Sequence, residues 1–595
     1  MCGIFGHFSF DKTDMTRDVI RSLGDIINYR GPDGQGIYFG DGVAIGNQRL
    51  AIIDVEGGSQ PFYSDDGNVV VVQNGEIFNH IELAEELSST EFSCKTHSDT
   101  EVILNLYLTY GIEFVNRLNG MFAIAIYDAR IDELFIIRDR VGEKPLYFYQ
   151  DAKNFIFASE IKSILNFPIK RELNLQALDS YLAYNYVPAP LTMFEGVVHM
   201  LPGTYVKVSS NGLESYTWWR LDGRSQNDVS EEQWVERFNE TIDDAVRLRL
   251  RSDVPFGAFL SGGVDSSTVV GFMAKHLACP VKTFSIGFNE EKYDESPFAL
   301  EAALRFSTEH ECEKVSPNLL SYWDKVIFHC DQPHGDVSFI PTLKVAELAS
   351  KKVKMVLTGD GADELFAGYD KYRELFESTD PSLPDDDFFD AFINTLSLFS
   401  EESRVRLLNP ATQIVTTFDH TRELISNRFF ELNDNDRINK VLYVDTMLLL
   451  SGNNLVKPDR MGMAVSIENR SPFLDYRMIE LAFSMPGSMK LKNGETKYIY
   501  KKAVSPLIGE NLTYRKKQMF TVPIGEWLKH ELKDMVYDLL LSEKAKSRNL
   551  FDYKFVQSMY EEHCKGECNY TREIRALMAL EVWFRQFLPD YRYEA

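Results

Sequence analysis

Apolar and polar positions alternate in short runs through the first part of the chain, from residue 4 to about 158. "GIYFGDGVAIGNQRLAIID" predicts a hairpin turning at 40–42. "NVVVVQNGEIFN" reads as a strand running into a turn, and "MFAIAIYD", "ELFIIRD" and "PLYFYQ" continue the series. Two helical stretches interrupt it, near 80–87 and 98–110. The pattern predicts antiparallel sheets flanked by helices. "LPGTYVKVSSNGLESYTWW" predicts a last hairpin, and the polar "RLDGRSQNDVS" a linker. Ser230 with Gln233 makes a capping box that opens a new helix.

Beyond the linker the period changes. "FGAFL" is a short buried strand, followed by "SGGVDSS" and the apolar-faced helix "STVVGFMAKHLA". "VKTFSIGF" is a second strand, followed by a helix from about 295 to 306. "KMVLTG" is another strand, leading into "DGADELFAGY". Strands alternating with helices predict a parallel sheet with right-handed crossovers. The chain beyond residue 380 reads as mostly helical, with "DPSLPDDDFFD" as an acidic surface loop.

Composition narrows the function classes. The 595 residues suit two to four domains, and 44% hydrophobic residues supply an ample core. There is no apolar run long enough to span a membrane. The first ten residues hold no Lys or Arg, unlike a signal peptide. The net charge of −26 argues against a general nucleic-acid surface and for small-molecule substrates. A phosphate site would have to be built locally. Seven cysteines without a C-x-x-C pair fit reduced thiols and a cytoplasmic location. His563, Cys564 and Cys568 cluster near the C-terminus, but no second ligand pair accompanies them, so zinc is not favoured.

Three stretches carry chemistry. "MCGIFG" puts a thiol one processing step from the first position, where nucleophile and free α-amine share one residue. "FLSGGVDSS" sits where a strand ends and a helix begins. Its glycines let backbone approach a ligand, and the helix N-terminus favours an anion. It is neither a Walker loop nor a dinucleotide fingerprint. Asp265 inside an anion site calls for a bridging cation, and Mg²⁺ fits. "TGDGADELFAGY" is a second Gly-rich turn at a strand end, with Asp360, Asp363 and Glu364. In an open parallel sheet both turns would line one crevice.

Taken in order, "MCGIFG", "YRGPDG", "QRLAIID", "NGEIFNH", "SDTEVI", "RDRVGEKPLYF", "LSGGVDSS", "GDGADELFAGY" and "SIENRSPFLD" resemble the glutamine-dependent asparagine synthetases over nearly the whole chain. SGGxDS is the pyrophosphate signature of ATP pyrophosphatases. The resemblance implies an α/β two-domain fold. Residues 2–210 would form a four-layer αββα N-terminal-nucleophile glutaminase, 211–229 a linker, and 230–595 a parallel-sheet synthetase with added helices.

The resemblance also implies roles. Once Met1 is removed, the Cys2 thiolate would attack the glutamine amide with its own α-amine as base. Asn74 and the Gly75 N–H would form the oxyanion hole. Arg49 would pair with the glutamine carboxylate, while Glu76 and Asp99 hold its ammonium group. "RGPDGQG", from Arg30, would belong to the loop closing over glutamine. In the second domain Ser261, Gly262, Gly263, Asp265, Ser266 and Ser267 would hold pyrophosphate, with Asp265 and Asp363 on Mg²⁺. Leu260, Ile286 and Gly359 would flank adenosine. Lys497, in "GETKYIYKKAV", would stabilise developing phosphate charge. Ammonia would cross between domains by a tunnel.

Two positions depart from the family pattern. Asp360 stands where several synthetases carry Glu in "GEGSDE", which pulls a prospective general base back by one methylene. "DQPHGDVSFIPT" lies in the acceptor-binding region without matching the housekeeping pattern closely. Arg470 fits either an acceptor carboxylate or a buried pair with Glu468 or Asp475. The resulting expectation is a glutamine-hydrolysing asparagine synthetase, with an amidotransferase acting on another carboxylate, such as a sugar uronic acid, as the alternative. Its partners would be glutamine, ATP, and aspartate or another small carboxylic acid. Nucleic acid and membrane are not expected, and a homodimer is the candidate assembly.

Overall fold

The structure is a computed structural model in which residues 2–289, 294–315, 321–415, 418–516 and 524–593 are described. Two six-stranded antiparallel sheets face each other in the first domain. The strands are β1 (Gly3–Ser9), β2 (Gly34–Gly40), β3 (Val43–Arg49), β4 (Phe62–Tyr63), β5 (Val69–Ile77) and β6 (Gly120–Asp128). They continue with β7 (Glu133–Arg138), β8 (Tyr147–Gln150), β9 (Asn154–Ala158), β10 (Val197–His199), β11 (Thr204–Ser209) and β12 (Gly212–Thr217). One sheet runs β10-β8-β9-β1-β3-β2, the other β12-β11-β7-β6-β5-β4. The predicted hairpin pairs Gly40 with Val43.

Both faces of each sheet are buried, which explains the unbroken apolar runs. In β5, Val70 and Val72 enter the core between the sheets. Val69 and Val71 point the other way, under α2 (His80–Leu87) and α3 (Asp99–Tyr110). Successive side chains on a strand face opposite sides, so one run serves two cores. The other sheet is covered by α1 (Arg17–Asp25), α4 (Ile161–Ile164) and α5 (Leu175–Tyr184). Two helical layers outside two sheets give the expected αββα order.

The hairpin β11–β12 carries the second sheet to Thr217. The polar segment after it is tied to the second domain. Gln226 N–H donates to the Ser484 carbonyl at 2.8 Å, and Gly223 lies against Leu432. α6 (Glu231–Arg249) then opens with the Ser230–Gln233 capping box.

The second domain holds a five-stranded parallel sheet, ordered β15-β14-β13-β16-β17. Its strands are β13 (Phe256–Phe259), β14 (Lys282–Phe288), β15 (Glu309–Val315), β16 (Met355–Leu357) and β17 (Glu468–Arg470). α7 (Val264–His276) follows β13, and α8 (Ser296–Arg305) follows β14. The chain steps outward from β13 to β14 and β15, then crosses back to β16. The order therefore reverses between β13 and β16, where an open α/β sheet forms its ligand crevice.

Three features differ from the sequence reading. β15, "EHECEKV", is an edge strand with mostly exposed or half-exposed side chains, so it lacks an apolar face to announce it. β17 is three residues of "ENR", a buried strand made of polar side chains. The acidic stretch is not all loop. Helix Asp385–Leu396 starts inside it, with three Asp in its first turn, where the helix dipole favours them, and Phe388 and Phe389 buried. No helix among the described residues is long and apolar enough to cross a membrane.

Candidate functional site

Cys2 begins at the edge of β1, 5% exposed. Its backbone nitrogen donates to Asn74 Oδ1 at 3.1 Å, and its carbonyl accepts from Arg30 Nε at 3.0 Å. Burial pushes the thiol's pKa up, opposed by the Leu50 backbone and the Asn47 side chain. Those groups would favour thiolate once substrate enters.

Asn74 and Gly75 sit on β5, opposite Ala123 and Phe122. Gly75 has φ +147°, and a Cβ there would lie 2.0 Å from the Met121 carbonyl oxygen. Only glycine allows this close strand approach. Asn74 Nδ2 donates to Ser159 Oγ at 3.3 Å. Arg49, at the end of β3, is aimed by three carbonyls: Val55 at 3.0 Å, Asp54 at 2.7 Å and Ile53 at 3.3 Å. The fork is thereby fixed in orientation without a carboxylate.

Asp99 stands in the first turn of α3, where Ser98 caps the helix. Its Oδ2 accepts from Gln73 Nε2 at 2.9 Å and from the Ile77 N–H at 3.0 Å. Glu76 is close enough to feel it. Burial first, then the charges of Glu468 and Asp99, raise the Glu76 carboxyl well above its ordinary range, against Arg470. Glu76 Oε2 is buried without a hydrogen-bond partner among the described residues. An ammonium group placed there would meet that unpaired oxygen.

Arg470 resolves in favour of structure. Its Nε donates to Glu468 Oε1 at 2.5 Å and its Nη1 to the Arg249 and Arg251 carbonyls. Nη2 lies 3.6 Å from Glu76 Oε1. Asp475 is taken instead by Arg249 and Arg477. Arg470 thus ties the second domain to the first, fully buried, and is not placed to meet an acceptor acid.

The Arg30 side chain is likewise a buried anchor, 0% exposed. It pairs with Glu160 at 2.8 Å and with Asp459 at 2.9 Å. Arg460 pairs with Glu160 at 2.7 Å, and Lys162 with Asp331 at 2.8 Å. Beside this network lies a small cavity of about 20 Å³, room for roughly one water. Glu143 and Lys144 line it from the first domain, and Thr358, Asp360, Pro458 and Asp459 from the second.

The two Gly-rich turns meet at the sheet's carboxyl edge. A Cβ on Gly359 would lie 2.7 Å from Asp265 Cβ and 3.1 Å from the Ser266 nitrogen. Glycine lets the β16 turn approach the N-terminus of α7 without covering its N–H groups. Ser261 Oγ accepts from the Gly263 N–H at 3.3 Å and meets Ser266 Oγ at 3.2 Å. Gly263 caps α7 without a side-chain bond, so the first helical N–H groups face the crevice. Ser267 is fully buried, with its hydroxyl unpaired. Leu260 and Ile286 are buried at the adjoining strand ends.

Lys497 reaches this crevice from the start of helix Tyr498–Ile508, in left-handed backbone with φ 55°. Its Nζ sits 2.6 Å from Asp265 Oδ1 and 2.7 Å from Asp363 Oδ1. Burial of Lys497 works to lower its pKa, but the two carboxylates outweigh it and raise it above the ordinary lysine value. Two acids converging on one cation fit Mg²⁺, which takes one or two protein carboxylates and completes its shell with phosphate and water. Asp360 takes a hydrogen bond from Thr358 Oγ1 at 2.7 Å. Burial, then the charges of Asp265 and Asp363, raise its carboxyl, while Lys457 and Thr358 oppose them. A carboxyl with a raised pKa is suited to accept a proton.

Sequence reasoning missed the network of Arg30, Glu160, Asp331, Asp459 and Arg460, whose members lie up to 429 positions apart. Its only trace is charge inside apolar stretches such as "PDRMGM". The C-terminal cluster is not a metal site. His563 Nε2 meets the Gly525 carbonyl and Nδ1 accepts from the Tyr570 N–H, while Cys564 and Cys568 are exposed.

The fold and these two sites define a class: a glutamine-amidotransferase sandwich joined to a parallel α/β domain with paired Gly-rich loops. The glutamine amidotransferase domain model matches residues 1–219, and the asparagine synthase model residues 237–585. The chain is 34% identical to asparagine synthetase [glutamine-hydrolyzing] 1 of Bacillus subtilis, over 99% of this chain and 98% of that one. It is 30% identical to asparagine synthetase [glutamine-hydrolyzing] 3 of the same organism, over 99% of each. Amidase chyE of Penicillium rubens is 29% identical over 92% of this chain and 91% of its own. The chain belongs to the glutamine-hydrolysing asparagine synthetase family.

Proposed function

We propose that the chain makes asparagine from aspartate, using glutamine as ammonia donor and ATP as activator, with AMP, pyrophosphate and glutamate as the other products. The observation that carries this reading is the pairing, in one chain, of Cys2 held against Asn74 in the first domain with Lys497 set between Asp265 and Asp363 beside the Gly-rich turns of the second.

At the first site, Cys2 without Met1 would lose its thiol proton to its own amine and attack the glutamine amide. Arg49 would hold the glutamine carboxylate, and Glu76 and Asp99 the ammonium group. Asn74 and Gly75 would donate to the tetrahedral oxyanion. The α-amine then passes its proton to the departing ammonia, and water releases glutamate from the thioester.

A carboxylate resists attack by ammonia because it is negatively charged and resonance-stabilised. At the second site its oxygen would attack the α-phosphorus of ATP, giving an acyl-adenylate and pyrophosphate. Ser261, Gly262, Gly263, Ser266 and Ser267 would cradle the leaving phosphates, while Leu260, Ile286 and Gly359 flank adenosine. Asp265 and Asp363 would hold Mg²⁺, which supplies neutralising charge to the phosphates. Lys497 would add its own charge there as the bond breaks. Ammonia then attacks the acyl carbon, AMP leaves, and Asp360 takes the extra proton. Ammonia in bulk water at neutral pH is mostly ammonium, so an enclosed path keeps it nucleophilic.

The test is pyrophosphate release with ATP, Mg²⁺ and glutamine, comparing aspartate with a panel of other carboxylic acids and identifying the amide by mass. Aspartate-dependent release with asparagine formed is expected. Release with another acid alone would replace aspartate as acceptor, and no release with any acid would remove the synthetase reading.

A further inference from the structure

We propose that Arg515 is a second phosphate-binding cation of this site, whose unpaired Nη1 group grips the pyrophosphate part of ATP. The proposal rests on the ATP-site reading above and adds a residue to it. Arg515 lies just beyond the short helix Glu510–Tyr514, remote in sequence from both Gly-rich turns. Its Nε donates to the Gly262 carbonyl at 2.9 Å, inside "SGGVDSS" itself. Its Nη2 donates to Glu295 Oε1 at 3.0 Å. Its guanidinium stacks over the Phe298 ring, 4.4 Å from the centroid.

Three contacts thus fix the plane of the group, and the side chain is only 11% exposed. Yet Nη1 is buried and has no hydrogen-bond partner among the described residues. A charged donor withdrawn from water and left unpaired is costly, and a phosphate oxygen would satisfy it. The neighbouring group is the α7 N-terminus. Nη2 stands 3.8 Å from where a Cβ of Gly263 would project. Gly263 is the uncapped start of α7, so its free N–H groups and the guanidinium border the same space.

The two cations have different surroundings. Lys497 is shared between Asp265 and Asp363. Among the described residues Arg515 answers to a single acid, Glu295, through one nitrogen, and is fixed to the loop through another. A planar guanidinium with an open nitrogen matches a phosphate's spread of oxygens better than a point charge does. Arg515 would therefore act on the leaving pyrophosphate, while Lys497 stays with the metal-binding carboxylates.

The experiment compares the unaltered chain with Arg515→Met and Arg515→Lys. Calorimetry measures the dissociation constants of Mg²⁺-pyrophosphate and, separately, of AMP. Glutamine hydrolysis in the absence of ATP reports whether each variant is folded. Arg515→Met is expected to weaken pyrophosphate binding at least tenfold while AMP changes by less than twofold. Arg515→Lys should fall between, because it keeps the charge but loses the fork. A role limited to propping the Gly262 loop would weaken pyrophosphate and AMP alike, and that result overturns the proposal. So does unchanged pyrophosphate affinity in Arg515→Met. If that variant lacks glutaminase activity, Arg515→Lys decides by the same ratio. Failure of the unaltered chain to bind either pyrophosphate or AMP would instead overturn the ATP-site reading and Arg515's role with it.

Discussion

Replacing Glu143 by Gln gives a direct physical test of the interdomain cavity. Glu143 is 7% exposed and lines that cavity. Burial, then the Asp139 charge, pushes its carboxyl from 4.5 up to about 8, against Arg249 and Lys144. The folded chain therefore keeps this proton to higher pH than the unfolded chain does. Such a group costs stability as pH rises, from about 4.5 until the cost levels off above about 8. At 1.36 kcal/mol per pH unit, the gap between the two values sets a ceiling of about 5 kcal/mol. Gln keeps the shape and cannot ionise, so Glu143→Gln removes this cost. Between about pH 6 and 9 the variant should gain roughly 3 kcal/mol on the unaltered chain. Urea unfolding of both proteins at several pH values measures it, because titrations common to both cancel in the difference. Two stability curves that run parallel across this range would refute the reasoning and mean that water reaches the carboxyl in the folded state.

Cys2→Ala should abolish glutamine hydrolysis while synthesis from added ammonia persists; loss of both activities would break the two-site scheme. Asp265→Ala should stop pyrophosphate release from ATP and leave glutaminase activity intact, and normal release would remove Asp265 from the Mg²⁺ set. Arg470→Met takes a buried cation away from Glu468, so it should cost about 3–5 kcal/mol in stability, read by urea or thermal unfolding. A loss under about 1 kcal/mol would show that Glu468 and Glu76 find other partners.

Much of the fold was legible because local rules and tertiary demands agree. The turn at Gly40–Gly42, the caps at Ser98 and Ser230, and the strand-loop-helix of "FLSGGVDSS" are decided by neighbouring residues. β15 and β17 were not legible. One is a mostly exposed edge, the other a buried strand of polar side chains, two of which bond distant carbonyls. Arg470 shows the same limit, since its pairing choice depends on Glu468, Glu76 and two distant carbonyls.

The sequence by itself determined the place of Cys2 as the candidate nucleophile, the two Gly-rich turns, the change from antiparallel to parallel periodicity, and the acids and Lys497 that could serve phosphate chemistry. These depend on residue type and local spacing, which a linear chain carries explicitly. Only the tertiary structure decided that Arg30 reaches from the Cys2 carbonyl to Asp459, that both domains line one small cavity, and that Arg515 comes to Gly262. Each depends on groups hundreds of positions apart sharing a few ångströms, where burial makes charges pair. No local pattern encodes that proximity, because it arises only when both domains pack.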